Sequence, residues 1–336
     1  MTVWAGHRLT LPPTSLFDAS HVRNPEWSPS GEYLLSECSF GGWEFPDYEI
    51  CVSKSDFTGL IRLKRRTVVD YWSLQPAWSP SGSEIVFRSD EGLVVASLPS
   101  GDSRLALSAA CADPVWSPDG RQIVCALGGA GGSREGNIIL LDLATERYIE
   151  LTTSQEDSYP TWVKNGEAIV FLRRKEHNYA IIMIDVAFGN ERLLSSDSSL
   201  YWSAIAVSPE GNTIVYSSNL GTSLHSLELE TQAGEDLLGA YETCFELVSS
   251  PNWSHDGKRI AFVAKKKQYD DDVLAAIWIV DIASKQVFRL THIPRASVSD
   301  VGPPSWSPDD SLIATSFDDE ILIVPASVSS SPVSCN

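Results

Sequence analysis

The sequence predicts an all-β chain, a seven-bladed β-propeller of four-stranded antiparallel blades. Three observations predict it. A motif built on Trp-Ser-Pro-Asp/Ser-Gly recurs seven times, its spacing suits one four-stranded sheet per repeat, and the runs between turns are β-branched and aromatic with no helical period. The repeats read PEWSPSGEYLL from Pro25, PAWSPSGSEIVF from Pro76, PVWSPDGRQIVCAL from Pro114 and PTWVKNGEAIVFL from Pro160. They continue with IAVSPEGNTIVYSS from Ile205, PNWSHDGKRIAFVA from Pro251 and PSWSPDDSLIATSF from Pro304. The Trp position falls at 27, 78, 116, 162, 207, 253 and 306, with Val207 in place of Trp, so the steps are 51, 38, 46, 45, 46 and 53 residues.

Each repeat resolves into four strands. The segment ending in Trp is the first. Ser-Pro-Asp-Gly then turns the chain, Pro fixing φ early and Gly accepting a positive φ. The second strand is a run such as Gln122–Leu127 or Arg259–Ala264. The third is Ile138–Leu143, Ala180–Val186, Ile277–Ile282 or Ile321–Val324. The fourth carries a recurring Arg-Leu or Leu-Thr, as in Ile61–Leu63, Arg104–Leu107, Glu150–Thr152, Arg192–Leu194 and Arg289–Thr291.

The seventh repeat has only three strands in the sequence. His7-Arg8-Leu9-Thr10 copies the Arg-Leu-Thr ending. The expected closure therefore pairs the N-terminal strand with the C-terminal repeat, beside Glu320–Val324, and leaves no open edge. Residues 1–326 are expected to form one propeller domain, and the Ser-rich 327–336 a flexible tail.

Composition narrows the partners. There are 25 Lys+Arg against 44 Asp+Glu, a formal charge of −19. Phosphate backbones need clustered cations, so nucleic acid is not expected, and an anionic membrane surface is disfavoured for the same reason. No apolar run is long enough to span a bilayer. The opening MTVWAGHRLTLPP has no basic start followed by an apolar stretch, so no signal peptide is expected. The six cysteines (Cys38, Cys51, Cys111, Cys125, Cys244, Cys335) form no CxxC pair. Cys38, Cys51 and Cys125 fall in strands, where free Cys acts as a small buried hydrophobe. The expectation is a reduced, cytoplasmic monomer.

The PxWSPDGxxIxF repeat resembles that of the TolB-type propellers, over nearly the whole chain. Trp-Asp-repeat propellers share the shape, but their Gly-His and Trp-Asp signatures are missing. The GxSxG elbow that accompanies prolyl-oligopeptidase propellers is also missing. The resemblance implies an architecture; function on such a scaffold sits in its loops.

In a propeller the approach to each first strand and the loop between second and third strands open on one face, opposite the Ser-Pro-Asp-Gly turns. The approaches carry the carboxylates Asp18, Asp70, Asp113, Glu156, Asp157, Glu246 and Asp300. They also carry aromatics: Tyr71 and Trp72, Tyr159, Tyr201 and Trp202, and Phe245, with Trp43 in the loop of the first repeat. His21 and Arg23 lie in the first approach. An aromatic wall with interspersed carboxylates suits a cationic or aromatic ligand, a small molecule or a protein segment. The expected function is therefore a ligand- or protein-binding propeller. The alternative is a metal-independent lyase, cyclase or isomerase, with Asp113, Glu156 or Asp157 as general acid or base on a small apolar or cationic substrate. No cofactor or metal is expected. A lyase resembling oligogalacturonate lyase would need clustered histidines, and only His21, His177 and His292 approach the loop face. Gly128-Gly129-Ala130-Gly131-Gly132 lacks the ending of a phosphate loop and reads as a hairpin tip.

Overall fold

The computed structural model describes residues 19, 21–40, 48–63, 74–128, 135–176, 178–196, 205–218, 221–241, 244–266, 273–291, 293–294 and 301–327. Seven antiparallel sheets follow one another along the chain, and the fold is the seven-bladed β-propeller that the repeats predict. Strand order within a sheet is sequence order, except that in the sixth the short strand Ile293–Pro294 also pairs with the third strand, Val273–Asp281. The third sheet, for example, runs Cys111–Trp116, Gln122–Leu127, Asn137–Asp142, Arg147–Glu150. Among the described residues the seventh sheet holds three strands, Ser305–Trp306, Leu312–Phe317 and Glu320–Pro325. The expected closing strand at residues 7–10 lies outside the described residues.

Contacts divide the chain into two compact units, one built on Ser28–Ser198 and one on Val22–Trp27 with Ser199–Asn336. In the second unit the strand His21–Trp27 is tied to the seventh repeat. Val22 N–H donates to Asp319 O (3.0 Å), Asn24 N–H to Ser316 Oγ (3.2 Å) and Trp27 N–H to Ser305 Oγ (3.1 Å).

The recurrent residues are framework, each for a physical reason. The turn Ser keeps its hydroxyl on the backbone N–H five residues on, at 3.0 Å for Ser28, Ser79, Ser254 and Ser307 and 2.9 Å for Ser117. Where the turn has Asp, that hydroxyl donates to it at 2.6 Å, as Ser117 does to Asp119. The repeated Trp joins neighbouring sheets. The indole N–H of Trp116 donates to Ala77 O (3.2 Å) and that of Trp162 to Val115 O (3.3 Å) in the first unit. Trp253 bonds Ala206 O (3.3 Å) and Trp306 bonds Asn252 O (3.1 Å) in the second. Each acceptor is the residue just before the Trp position of the preceding repeat, so neighbouring first strands lie side by side within each unit.

The Leu-Thr ending is not strand. Strands four end at Glu150 and Arg289, one residue earlier than the motif. Thr152 Oγ1 then accepts Ile138 N–H, and Thr291 Oγ1 accepts Ile277 N–H, both at 2.9 Å. The motif staples the end of strand four to strand three.

The cysteines correct an expectation. Cys38 is bonded to Cys51 and Cys111 to Cys125, each pair joining adjacent strands of one sheet, and no described cysteine is free. Alternating strands put them on one face of a sheet, close enough to cross-link.

Candidate functional site

The first strands share an irregularity that the motif does not advertise. Asn24, Gln75, Asp113, Tyr159 and Ser250 all have φ between 51° and 52°, and each immediately precedes a proline. The proline ring disfavours the right-handed helical region for the residue before it. A left-handed turn there costs a non-glycine residue about 1–2 kcal/mol. Pairing with the second strand slips at three of these points, between Val124 and Ala126, Ser158 and Thr161, and Ser249 and Asn252. These are β-bulges, which re-aim side chains. The five side chains are half-buried.

In the first unit two of them meet. Gln75 Nε2 donates to Asp113 Oδ1 (2.6 Å), and Asp113 N–H donates to Gln75 Oε1 (2.8 Å). This reciprocal pair fixes the Asp113 carboxylate at the bulge.

The fourth repeat builds a larger cluster. Asp157 is 0% exposed, and its two oxygens accept from Arg173 Nε (2.7 Å) and Nη2 (3.1 Å). The same guanidinium holds Glu191 at 2.7 and 2.8 Å. Hydrogen bonds that Arg173 donates to Glu191 and then Asp157 hold its guanidinium well above the ordinary range. With each oxygen bonded to one guanidinium, Asp157 braces the start of its strand. Its backbone exchanges both hydrogen bonds with Gly136. Gly136 is required there, because a Cβ would collide with Leu127 O.

That junction delivers Glu135. Arg174 Nη2 lies 3.1 Å from Glu135 Oε2 and 3.7 Å from Glu156 Oε1. Tyr179 Oη donates to Glu135 Oε1 at 3.5 Å. Burial first, then the charge of Glu135 and the nearby Tyr159, push the Tyr179 phenol up. Two tyrosines, two carboxylates and one guanidinium thus share one patch of the first unit.

In the second unit Glu26 is the notable group. It is half-buried on the strand His21–Trp27, two residues past the left-handed Asn24. Burial pushes its carboxyl up to about 7. The other repeats have Ala77, Val115, Thr161, Ala206, Asn252 and Ser305 at this position.

The expected site residues therefore separate. Asp113, Glu156 and Tyr159 lie at or beside the bulges. Phe245 is a correction: it is fully buried, edge-on to Phe262 and Trp278, because it begins a long first strand whose apolar face is core. Glu246 is exposed and pairs with Lys265 (2.9 Å). His21 is buried and Arg23 half-buried. Trp43, Tyr71, Trp72, Tyr201, Trp202, Asp300, His177 and His292 lie outside the described residues. No group of three or more His, Cys, Asp or Glu is placed to hold a metal among the described residues. Glu26, Gln75, Glu135, Arg173, Arg174 and Tyr179 escape sequence reasoning. Aligning the repeats would have exposed Glu26, the one carboxylate in its column; nothing local marks Arg173 or Tyr179.

Comparison with known proteins agrees with this architecture. A protein named HIRA from Dictyostelium discoideum is 37% identical over 106 residues, which span 29% of this chain and 9% of that protein. The chain therefore spans a small part of that relative's length. The solved structure of an oligogalacturonate lyase in complex with manganese superposes with a TM-score of 0.71 at 14% identity, covering 92% of this chain and 90% of the other. A putative TolB from Agrobacterium tumefaciens superposes with a TM-score of 0.55 at 19% identity, covering 80% and 94%. At these identities the likeness is one of fold. The sequence profile of the TolB beta propeller domain matches residues 47–239, more than half of the chain. The chain belongs to the TolB β-propeller family.

Proposed function

We propose that this propeller binds a cationic ligand, a small molecule or a basic protein segment, through the side chains presented at and beside the first-strand bulges of its first unit. One observation carries the reading. The same left-handed backbone recurs before proline in five repeats with five different side chains, Asn24, Gln75, Asp113, Tyr159 and Ser250. A constant strained backbone under varied polar groups is what a recognition scaffold requires, since strain persists where the surroundings over-determine it.

The patch of Tyr159, Tyr179, Glu135 and Glu156 gives the ligand its chemistry. Glu135 and Glu156 already flank one guanidinium, that of Arg174, whose charge also acts on Tyr179. Ring faces attract cations by about 0.5–2 kcal/mol each. A ligand amine or guanidine would share or replace the Arg174 contacts. The chain acts as a monomer in this proposal, and its paired cysteines fit an oxidising compartment.

Calorimetric titration with agmatine, spermidine and the neutral 1-butanol tests it. Both cations should bind, the alcohol should not, and Glu135→Gln with Tyr179→Phe should weaken the cations about tenfold. Equal behaviour of wild type and variant would refute the assignment.

Glu26 supports a second reading, an enzyme acting on a small substrate. A carboxyl with a pKa near 7 suits general acid–base catalysis at neutral pH. The structure named an oligogalacturonate lyase among the neighbours puts lyase reactions among those to assay. Loss of a detected activity in Glu26→Gln, with cation binding unchanged, would favour it.

A further inference from the structure

Among the described residues the exposed large apolar side chains are Tyr148 (41%), Ile149 (57%), Phe188 (79%) and Leu193 (48%). All four stand on the outer parts of the third and fourth repeats, within the first unit. Tyr148 and Ile149 belong to Arg147–Glu150, the terminal strand of its sheet, whose four residues are all exposed. Among the described residues its outer edge pairs with no strand, which leaves main-chain groups open to an added strand.

Register shows where two of these side chains face. Ile149 lies opposite Leu140 and Leu193 opposite Ile182. Directly opposed residues share a face, and Leu140 and Ile182 belong to one core cluster between the third and fourth sheets. Ile149 and Leu193 therefore rim the outer opening of a single groove. Phe188 stands on the adjoining turn, held by Asp185 Oδ1, which accepts the N–H of Ala187 (2.9 Å) and of Phe188 (2.8 Å). A fixed turn presenting a phenylalanine to water is the form of an interface anchor.

Charge selects the occupant. Glu146, Glu150, Asp185 and Glu191 outnumber Arg147 and Arg192 in and beside these strands, Arg104 holding Glu146 and Arg173 holding Glu191, and the chain carries −19 overall. A second copy would bring equal charge, and an anionic membrane would add to the repulsion. We infer that the edge Arg147–Glu150 and the groove between Ile149 and Leu193 form a docking surface for a basic, extended protein segment. The segment adds a strand to the edge and places an apolar side chain in the groove.

The probes are two labelled peptides, KVKIKVK and EVEIEVE, read by fluorescence anisotropy and by hydrogen exchange at Arg147–Glu150. The basic peptide should bind at least about tenfold more tightly than the acidic one and slow exchange along that strand. Ile149→Asn and, separately, Leu193→Asn should each reverse that protection while melting as wild type does. Equal binding of the two peptides, unchanged binding by both variants, or protection elsewhere overturns the proposal. Concentration-dependent dimerisation abolished by Ile149→Asn also overturns it, because the occupant is then a second copy.

Discussion

His255 Nδ1 lies 3.0 Å from Asp310 Oδ1, and both residues depart from the repeat. His255 replaces the turn proline of the sixth repeat, and Asp310 replaces the turn glycine of the seventh. Asp310 keeps the positive φ of that glycine, at 57°, and its carboxylate also accepts the backbone N–H of His255 and of Asp256, both at 2.8 Å. Arg259 completes the junction, its guanidinium bonded to Asp310 O (3.1 Å) and lying over the Trp306 ring. The two exceptions to the motif compensate one another: a less suitable backbone residue is retained because its side chain joins two turns.

Asp310→Ala should therefore destabilise by about 2–3 kcal/mol, since it loses charge-assisted bonds and keeps the backbone strain. Asp310→Gly loses the same bonds but relieves about 1 kcal/mol of strain. Urea unfolding should rank wild type, Asp310→Gly, Asp310→Ala in falling stability; equal values for the two variants would contradict the strain argument.

Arg173→Ala should cost about 3–5 kcal/mol, because it strands the buried Asp157 charge. The double variant Arg173→Met/Asp157→Asn should recover much of that loss. Thermal melts of the three proteins give the comparison. A double variant no more stable than Arg173→Ala would mean that the ion pair is not the cause.

Glu26 fixes a pH dependence. Its folded value of about 7 lies above the ordinary 4.5, so the folded chain binds the proton more tightly than the unfolded chain does. Its favourable contribution is complete below pH 4.5 and is lost as pH rises through 7. Glu26→Gln should thus stabilise the protein at pH 8, by up to about 3 kcal/mol, and change little at pH 4.5. A gain independent of pH would contradict the assignment.

Asp309 acts in the opposite direction. Hydrogen bonds from Ser307 and Ser311 lower its carboxyl to about 2. Its contribution is present above the ordinary 3.8 and is lost as pH falls toward 2. Asp309→Asn should flatten the acid side of the melting profile and leave the neutral side parallel to wild type.

Seven repeats, their turns and most strand cores were legible because Trp, Ser, Pro and Gly perform local tasks in fixed order. The Leu-Thr ending was visible, but its role was not: Thr152 acts on Ile138, across a strand pair. The bulges were half legible. The x-Pro step before each Trp was plain, yet its left-handed backbone follows from pairing with the second strand. The candidate site was least legible. Glu135 and Tyr179 meet Tyr159 because Gly136 docks on Asp157, and that contact joins residues of two repeats. Cys111 and Cys125 read as isolated thiols until strand pairing brought them within bonding reach.

A crystal structure of the chain grown with agmatine tests the central claim most directly. The account predicts its guanidinium between Glu135 and Glu156, beside Tyr159 and Tyr179, with Arg174 displaced from Glu135. Agmatine seated elsewhere at saturating concentration, with Arg174 still on Glu135, would contradict it.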